Sequence, residues 1–403
     1  MDARKTVAVA EAIDIVRAAA LIVESREVPL KKAHGRVLAE TITATRDQPP
    51  FAASAMDGYA VHGESLGLDS LTVVGESAAG RRFNGMVLPA QAVRIFTGAP
   101  VPDDCDTVII QENVTRAGDV IALLPDAKKG GDNVRPAGQD FSAGDTLLEA
   151  GVRLDPWRVS LVAASGRDRV TVARRPKIAL LCTGDELVAP GDKPSSDQIF
   201  ESASFALIAL IGQWGGKARA LGVEGDSEKA IAKALKDVDA DLIVTVGGAS
   251  VGDHDLVKPA LSRLGLALDF QSLSLRPGKP TAFGRLDDGR RTLSLPGNPA
   301  SAFVVAQLLL KPWIEASLGM PSTSPFVKAK LAVPLAGAGP RETYLRARMV
   351  ISDGGQVEVT PFARQDSSLV GIFARADALL RLPAGGPALA AGDTVDVLPL
   401  DRL

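Results

Sequence analysis

Near the N-terminus Val7, Ala10, Ile13, Val16 and Ala20 recur at helical spacing, which predicts an amphipathic helix over 7–24. Pro49-Pro50 then breaks regular structure. From 51 to about 142, short apolar runs at 71–74, 93–96, 108–110 and 120–123 alternate with turn residues, the pattern of a small strand-rich domain. Asp155-Pro156, followed by an apolar stretch that stops at Gly166, reads as a helix with an aspartate N-cap and a proline in its first turn.

From 176 to about 320 the rhythm changes. Strands are expected at 177–181, 218–223, 242–246 and 292–295, and helices at 203–214, 227–237, 256–264 and 299–317. Strands alternating with helices imply βαβ units around a mostly parallel sheet, and such sheets collect ligands beyond the carboxyl ends of their strands. After Pro321 short strands with Gly and Pro turns return, as in a β-barrel or sandwich. The expected class is therefore α/β plus β, in several domains, with no internal repeat. A chain of 403 residues is in any case too long for one compact core.

Composition narrows the functions. A net charge of −3 gives no electrostatic footprint for nucleic acid. No apolar run reaches the length of a membrane span and no secretory signal is evident. The two cysteines, Cys105 and Cys182, lie far apart without C-x-x-C context, which fits a reducing cytoplasm. With three histidines in all, a His-rich zinc site is not expected, and any metal should be bound by oxygen.

The loops after the α/β strands carry the chemistry. One runs Gly247-Gly248-Ala249-Ser250-Val251-Gly252-Asp253-His254-Asp255. Its glycines allow close backbone approach to an anion, and its carboxylates suit Mg²⁺. Cys182-Thr183-Gly184-Asp185-Glu186, Arg276-Pro277-Gly278-Lys279-Pro280 and Pro296-Gly297-Asn298-Pro299-Ala300-Ser301 follow the same logic. Cations beside hydroxyls and a helix N-terminus suit phosphate or another oxyanion. Each loop alone also reads as a turn or a helix cap; the combination favours a site. A second concentration lies earlier, around Asp57, Thr97, Arg135 and Asp140. For one site, these would have to fold back onto the α/β loops or come from a second subunit.

Taken together, P-P-F-A-A-S-A-M-D-G-Y-A (49–60), I-F-T-G-A-P-V-P (95–102), N-V-R-P-A-G-Q-D (133–140), T-G-D-E-L (183–187), G-G-A-S-V-G-D-H-D (247–255), R-P-G-K-P (276–280) and L-P-G-N-P-A-S-A (295–302) resemble the molybdopterin molybdenumtransferases, a family that includes the E domain of gephyrin-type proteins. The motifs keep the family's order over nearly the whole chain.

The resemblance implies an elongated homodimer of four subdomains: a discontinuous one at 1–48 and 143–175, a strand-rich one at 49–142, a molybdopterin-binding α/β one at 176–325 and a β-barrel at 326–403. It also implies a Mg²⁺-dependent reaction in which adenylylated molybdopterin and molybdate yield molybdenum cofactor and AMP. Carried over by motif, the pterin nucleotide falls to Thr97, Arg135, Asp140, Gly247, Gly248, Ser250, Gly252 and Asp255. Molybdate falls to Arg276, Lys279, Pro280, Ser301, Arg346 and Ser367. Asp57, Glu186, Asp255 and Lys279 fall in catalytic positions, and Asp57, Glu186 and Asp253 in metal-binding ones. A molybdopterin adenylyltransferase and recipient molybdoenzymes are the implied partners, in the cytoplasm.

One segment departs from the family. Where it usually has Ile-Tyr-Asp-Ser-Asn, this chain has Ile199-Phe200-Glu201-Ser202-Ala203. Two lost hydrogen bonds to a ligand, at about 0.5–1.5 kcal/mol each, motivate an alternative: a catalytically weak paralogue that binds molybdopterin or molybdate as carrier or sensor. An adenylyltransferase acting on ATP is a third reading, but it needs only the α/β part.

Overall fold

The computed structural model describes residues 6–129, 133–248 and 256–400. The chain forms two compact units, one of residues 1–27, 35–39 and 171–403, the other of 28–34 and 40–170.

In the first unit a six-stranded sheet runs in the order Lys217–Glu224, Lys177–Thr183, Leu242–Val246, Arg291–Leu295, Ala282–Arg285, Ala267–Phe270. The first four strands are mutually parallel, as the βαβ rhythm predicted. The last two, which the sequence reading missed, add an antiparallel edge. Helices cover both faces, so the strands are apolar on both sides. Leu180, Cys182 and Val244 enter one core with Leu207, Ile211 and Phe303. The alternating residues Leu181 and Ile243 enter another with Ile231, Leu235 and Leu261.

Helix ends follow local chemistry. Ala203–Trp214 stops at Gly215, whose φ of 100° is the left-handed C-terminal cap. The expected 299–317 helix is one run with a widened turn, Ala306–Leu310, between Pro299–Val305 and Lys311–Ser317. Pro312 lacks the N–H a regular helix would return to the preceding turn, and the widening absorbs that gap. The N-terminal helix is shorter than its periodicity suggested, spanning Val9–Ala18. Val7 instead pairs with Leu273, its N–H reaching Ser272 O at 3.0 Å. Beyond the helix, Val23 N–H bonds Ser317 O at 3.2 Å. Tertiary hydrogen bonds thus claim both ends of the apolar run.

Five further strands, Val327–Leu331, Glu342–Ile351, Val357–Pro361, Ala378–Leu382 and Thr394–Pro399, close into the expected barrel. Ala329, Leu331, Ala347, Val359, Leu380 and Val397 fill it. Leu275–Arg276 pairs in parallel with Glu342–Thr343 at the barrel's edge. The R-P-G-K-P loop therefore starts from a barrel strand and not, as expected, from a strand of the α/β sheet.

In the second unit, a six-stranded sheet runs Thr107–Ile110, Gly58–Val61, Gln91–Ile95, Ser70–Ser77, Val120–Leu123, Val114–Ala117. Tyr59 and Val61 face one core and Ala60 another, the period-two alternation of a sheet covered on both sides. Asp155 caps the helix Pro156–Ala164 as expected, accepting Arg158 N–H at 2.8 Å. Among the described residues no helix is long and apolar enough to cross a membrane.

Candidate active site

Four segments converge in the first unit. Where Lys177–Thr183 and Leu242–Val246 end, Gly247 and Gly248 turn with φ of 101° and 59°. A Cβ on Gly247 would lie 2.3 Å from Thr183 O, so only glycine fits there. Gly247 N–H bonds Leu295 O at 3.3 Å, which draws in the Pro296-Gly297-Asn298 turn. Pro299 opens the helix, and the Ser367 segment docks on its start. Ala300 N–H donates to Ser367 O at 3.1 Å, and the Asn298 amide to Ser367 Oγ at 3.0 Å. Gly278 packs against Val305 of the same helix. Leu273 N–H and Thr281 N–H both donate to Lys279 O, which pins the R-P-G-K-P backbone and leaves the Lys279 side chain exposed.

The result is a cleft of about 860 Å³. Of the residues expected in the site, Glu186, Gly247, Gly248, Arg276, Lys279, Pro280, Ser301, Arg346 and Ser367 all line it. Ser250, Gly252, Asp253 and Asp255 lie outside the described residues. Asp57, Thr97, Arg135 and Asp140 belong to the second unit.

Electrostatically the cleft is prepared for an anion. Arg346 is fully buried. One of its terminal nitrogens donates to Asp366 O at 2.8 Å, while Nε has no partner among the described residues. Burial pulls its pKa below the usual guanidinium value, against the opposing pull of the nearby Asp366. An incompletely paired buried guanidinium is costly unless an anion meets it. Ser301, also buried, sits in the first turn of the helix, and the buried Thr183 hydroxyl has no hydrogen-bond partner among the described residues. Arg276 and Lys279 form no ion pair with any described carboxylate. Glu186 and Asp226, with Asp366 on the barrel side, are the acidic residues of the lining. Among the described residues no three acidic, His or Cys side chains cluster as a metal cage. Two carboxylates are, however, the donor set that Mg²⁺ accepts when substrate phosphates complete its shell.

Asn298, from one of the expected loops, lines the cleft as well; the sequence reading missed Arg341, Asp226 and Gln365, which also line it. For Arg341 a signal existed: a cation directly after a Gly-Pro turn and before a strand.

In the second unit Asp57 and Thr97 meet directly. The Asp57 carboxylate accepts Thr97 N–H at 2.8 Å and Thr97 Oγ–H at 3.0 Å. These two bonds, backbone first, hold its pKa below the ordinary carboxylate value, with help from Arg94. Arg135 lies on a short strand paired with Ala53, and Asp140 N–H bonds Gln48 O.

The divergent 199–203 segment does not line the cleft. Ile199 and Phe200 are exposed, while Glu201 is buried. Its carboxylate accepts Ser204 N–H at 2.7 Å at the start of the Ala203–Trp214 helix. Here the acid serves the helix start. Neither cysteine suits nucleophilic work: burial pushes the Cys105 thiol up to about 12 and the Cys182 thiol higher still.

Fold and cleft together define a multidomain protein with a cleft of mixed charge beside a mostly parallel α/β sheet and an appended β-barrel. Family models match along the chain: MoeA N-terminal region (domain I and II) at 7–166, probable molybdopterin binding domain at 179–316, and MoeA C-terminal region (domain IV) at 328–400. A molybdopterin molybdenumtransferase of Haemophilus influenzae is 35% identical over 379 residues, 93% of each chain. One from Nostoc sp. is 34% identical over 386 residues, 93% of this chain and 88% of the relative. The crystal structure of a molybdopterin biosynthesis MoeA protein from Pyrococcus horikosii superposes with a TM-score of 0.82 at 28% identity, covering 99% of this chain and 100% of that one. The chain belongs to the molybdopterin molybdenumtransferase family.

Proposed function

We propose that this protein inserts molybdate into adenylylated molybdopterin and releases AMP, as the last step of molybdenum cofactor assembly. The observation that carries the reading is the fully buried, incompletely paired Arg346 in a cleft shared with Ser301, Arg276 and Lys279. Molybdate is a compact dianion, and guanidinium, ammonium and hydroxyl donors are its natural partners. The two terminal nitrogens and Nε of Arg346 form a planar fork, whereas Lys279 contributes a point charge on pinned backbone.

The glycine turn at 247–248, packed against Thr183 and Val257, lines the cleft that would take the pterin nucleotide, whose phosphates the cationic wall would neutralise. Thr183 offers a buried hydroxyl beside that turn. Glu186, with substrate phosphate oxygens, would hold a divalent cation of the Mg²⁺ type; of the companions expected from sequence, Asp253 lies outside the described residues and Asp57 belongs to the second unit. When bound, that ion would stabilise negative charge developing on the phosphoanhydride. The dithiolene sulfurs belong to the substrate, which agrees with the inert thiols of Cys105 and Cys182. Homodimerisation, a cytoplasmic location and contacts with an adenylyltransferase or with recipient molybdoenzymes belong to the same proposal.

The test is incubation of purified protein with adenylylated molybdopterin, Mg²⁺ and molybdate, with AMP measured. AMP release that requires molybdate supports the proposal. Binding without release points to a carrier, and adenylylated pterin formed from ATP points to an adenylyltransferase. Light scattering at micromolar concentration tests the dimer, and a monomer alone would contradict it.

A further inference from the structure

The cleft is much larger than molybdate. Four oxygens displace the volume of about four waters, or ~120 Å³, out of about 860 Å³. Arg346 and Ser301 mark the buried part; the remaining volume must take the organic substrate with its phosphates. On that wall stands Arg341, half-buried, ahead of the strand Glu342–Ile351. The strand's pairing with Leu275–Arg276 fixes its position, and one of its terminal nitrogens lies 3.4 Å from Leu275 O.

Arg341 is not neutralised by its acidic neighbour. The Glu342 carboxylate accepts Tyr344 Oη–H at 2.7 Å and Arg381 Nε–H at 2.8 Å. Asp366, the acid on the barrel loop, accepts Ser368 N–H and Oγ–H. Among the described residues no carboxylate pairs with Arg341, so most of its planar donor fork faces the cleft unspent. Such a fork matches phosphate bidentately.

We infer that Arg341 grips a phosphate of the adenylylated pterin, which makes it a substrate-positioning residue distinct from the groups that hold molybdate. This rests on the molybdenumtransferase reading and assigns one substrate to one cation within it.

The experiment compares the wild type with Arg341→Met, which keeps the stem and removes the fork, and with Arg341→Lys, which keeps only the charge. Calorimetry measures binding of adenylylated molybdopterin, and separately of tungstate as a tetrahedral dianion. Losing charge-assisted hydrogen bonds to phosphate weakens binding about ten- to a hundredfold. Arg341→Met should show that loss for the pterin nucleotide and less than a twofold change for tungstate, with Arg341→Lys in between. Unchanged nucleotide binding, or equal weakening of both ligands, overturns the inference. If Arg341→Met fails to fold, Arg341→Lys carries the same comparison. A wild type that binds neither ligand contradicts the molybdenumtransferase reading itself, which separates the two failures.

Discussion

Arg346→Met should weaken molybdate binding and yet leave the protein as stable as before, or more so. The side chain is fully buried, its Nε has no partner among the described residues, and one terminal nitrogen donates to Asp366 O. An unsatisfied buried donor costs about 1–3 kcal/mol, and burying the charge adds to that cost. Methionine fills much of the same volume without a polar atom. The loss is the bond to Asp366 O, about 1 kcal/mol for a carbonyl left unpaired. The net expected change is between zero and about +2 kcal/mol of stability, or a rise in Tm of up to ~4 °C for a large unit. Molybdate affinity should meanwhile fall about ten- to a hundredfold, since a charged hydrogen-bonding partner is removed. Thermal unfolding across a molybdate titration reads both effects. Ligand stabilisation scales as RT ln(1 + [L]/Kd), so the wild type should gain Tm with molybdate and the variant almost none at the same concentrations. A variant that unfolds several degrees lower, yet still responds to molybdate like the wild type, would refute the assignment of Arg346 as an anion ligand.

Thr97→Ala should raise the Asp57 pKa part of the way towards the ordinary carboxylate range, because it removes the Oγ–H bond and keeps the backbone N–H bond, the larger of the two causes. A carboxyl NMR titration with no upward shift would contradict this. Asp241→Asn should cost about 2–4 kcal/mol, since Asp241 takes both Arg174 nitrogens, at 2.6 and 2.8 Å, together with Lys177 N–H. Burial alone would raise the Asp241 pKa, but Arg174 and Lys177 hold it lowered. Its stabilisation is therefore complete above the unfolded carboxylate value of about 3.9 and is lost as pH falls through the lower folded value. Urea melts of the variant should show a shallower stability loss over that acid window. Gly247→Ala should lose more than about 2 kcal/mol, measured as a fall in Tm, because the added methyl meets Thr183 O at a positive φ. Native protein at pH 8 should react slowly with a thiol reagent at both cysteines; rapid labelling of Cys182 would contradict its burial.

The α/β part was legible because its strands are apolar on both faces and its helices carry their own stops, as at Ala203–Trp214 with Gly215. Loops were legible where an L-residue cannot replace the glycine, as at Gly247. Tertiary hydrogen bonds were not, and they cut the N-terminal helix at Val9 and Ala18. Nor could strand order be read: the antiparallel edge at Ala267–Phe270 and the transfer of Leu275–Arg276 to the barrel both depend on distant partners. Arg341 carries a local signal in its Gly-Pro turn, but its place on the cleft depends on the pairing of the following Glu342–Thr343 with Leu275–Arg276. At the altered 199–203 segment the sequence could not show that Glu201 turns to Ser204 N–H at the start of a helix, away from the cleft lining.

Crystals of the protein soaked in molybdate, with diffraction recorded at the molybdenum absorption edge, test the central claim most directly. An anomalous peak should lie within about 4 Å of Ser301 Oγ and the Arg346 guanidinium, with Lys279 close by. A peak elsewhere on the surface, with none in the cleft at saturating molybdate, would contradict it.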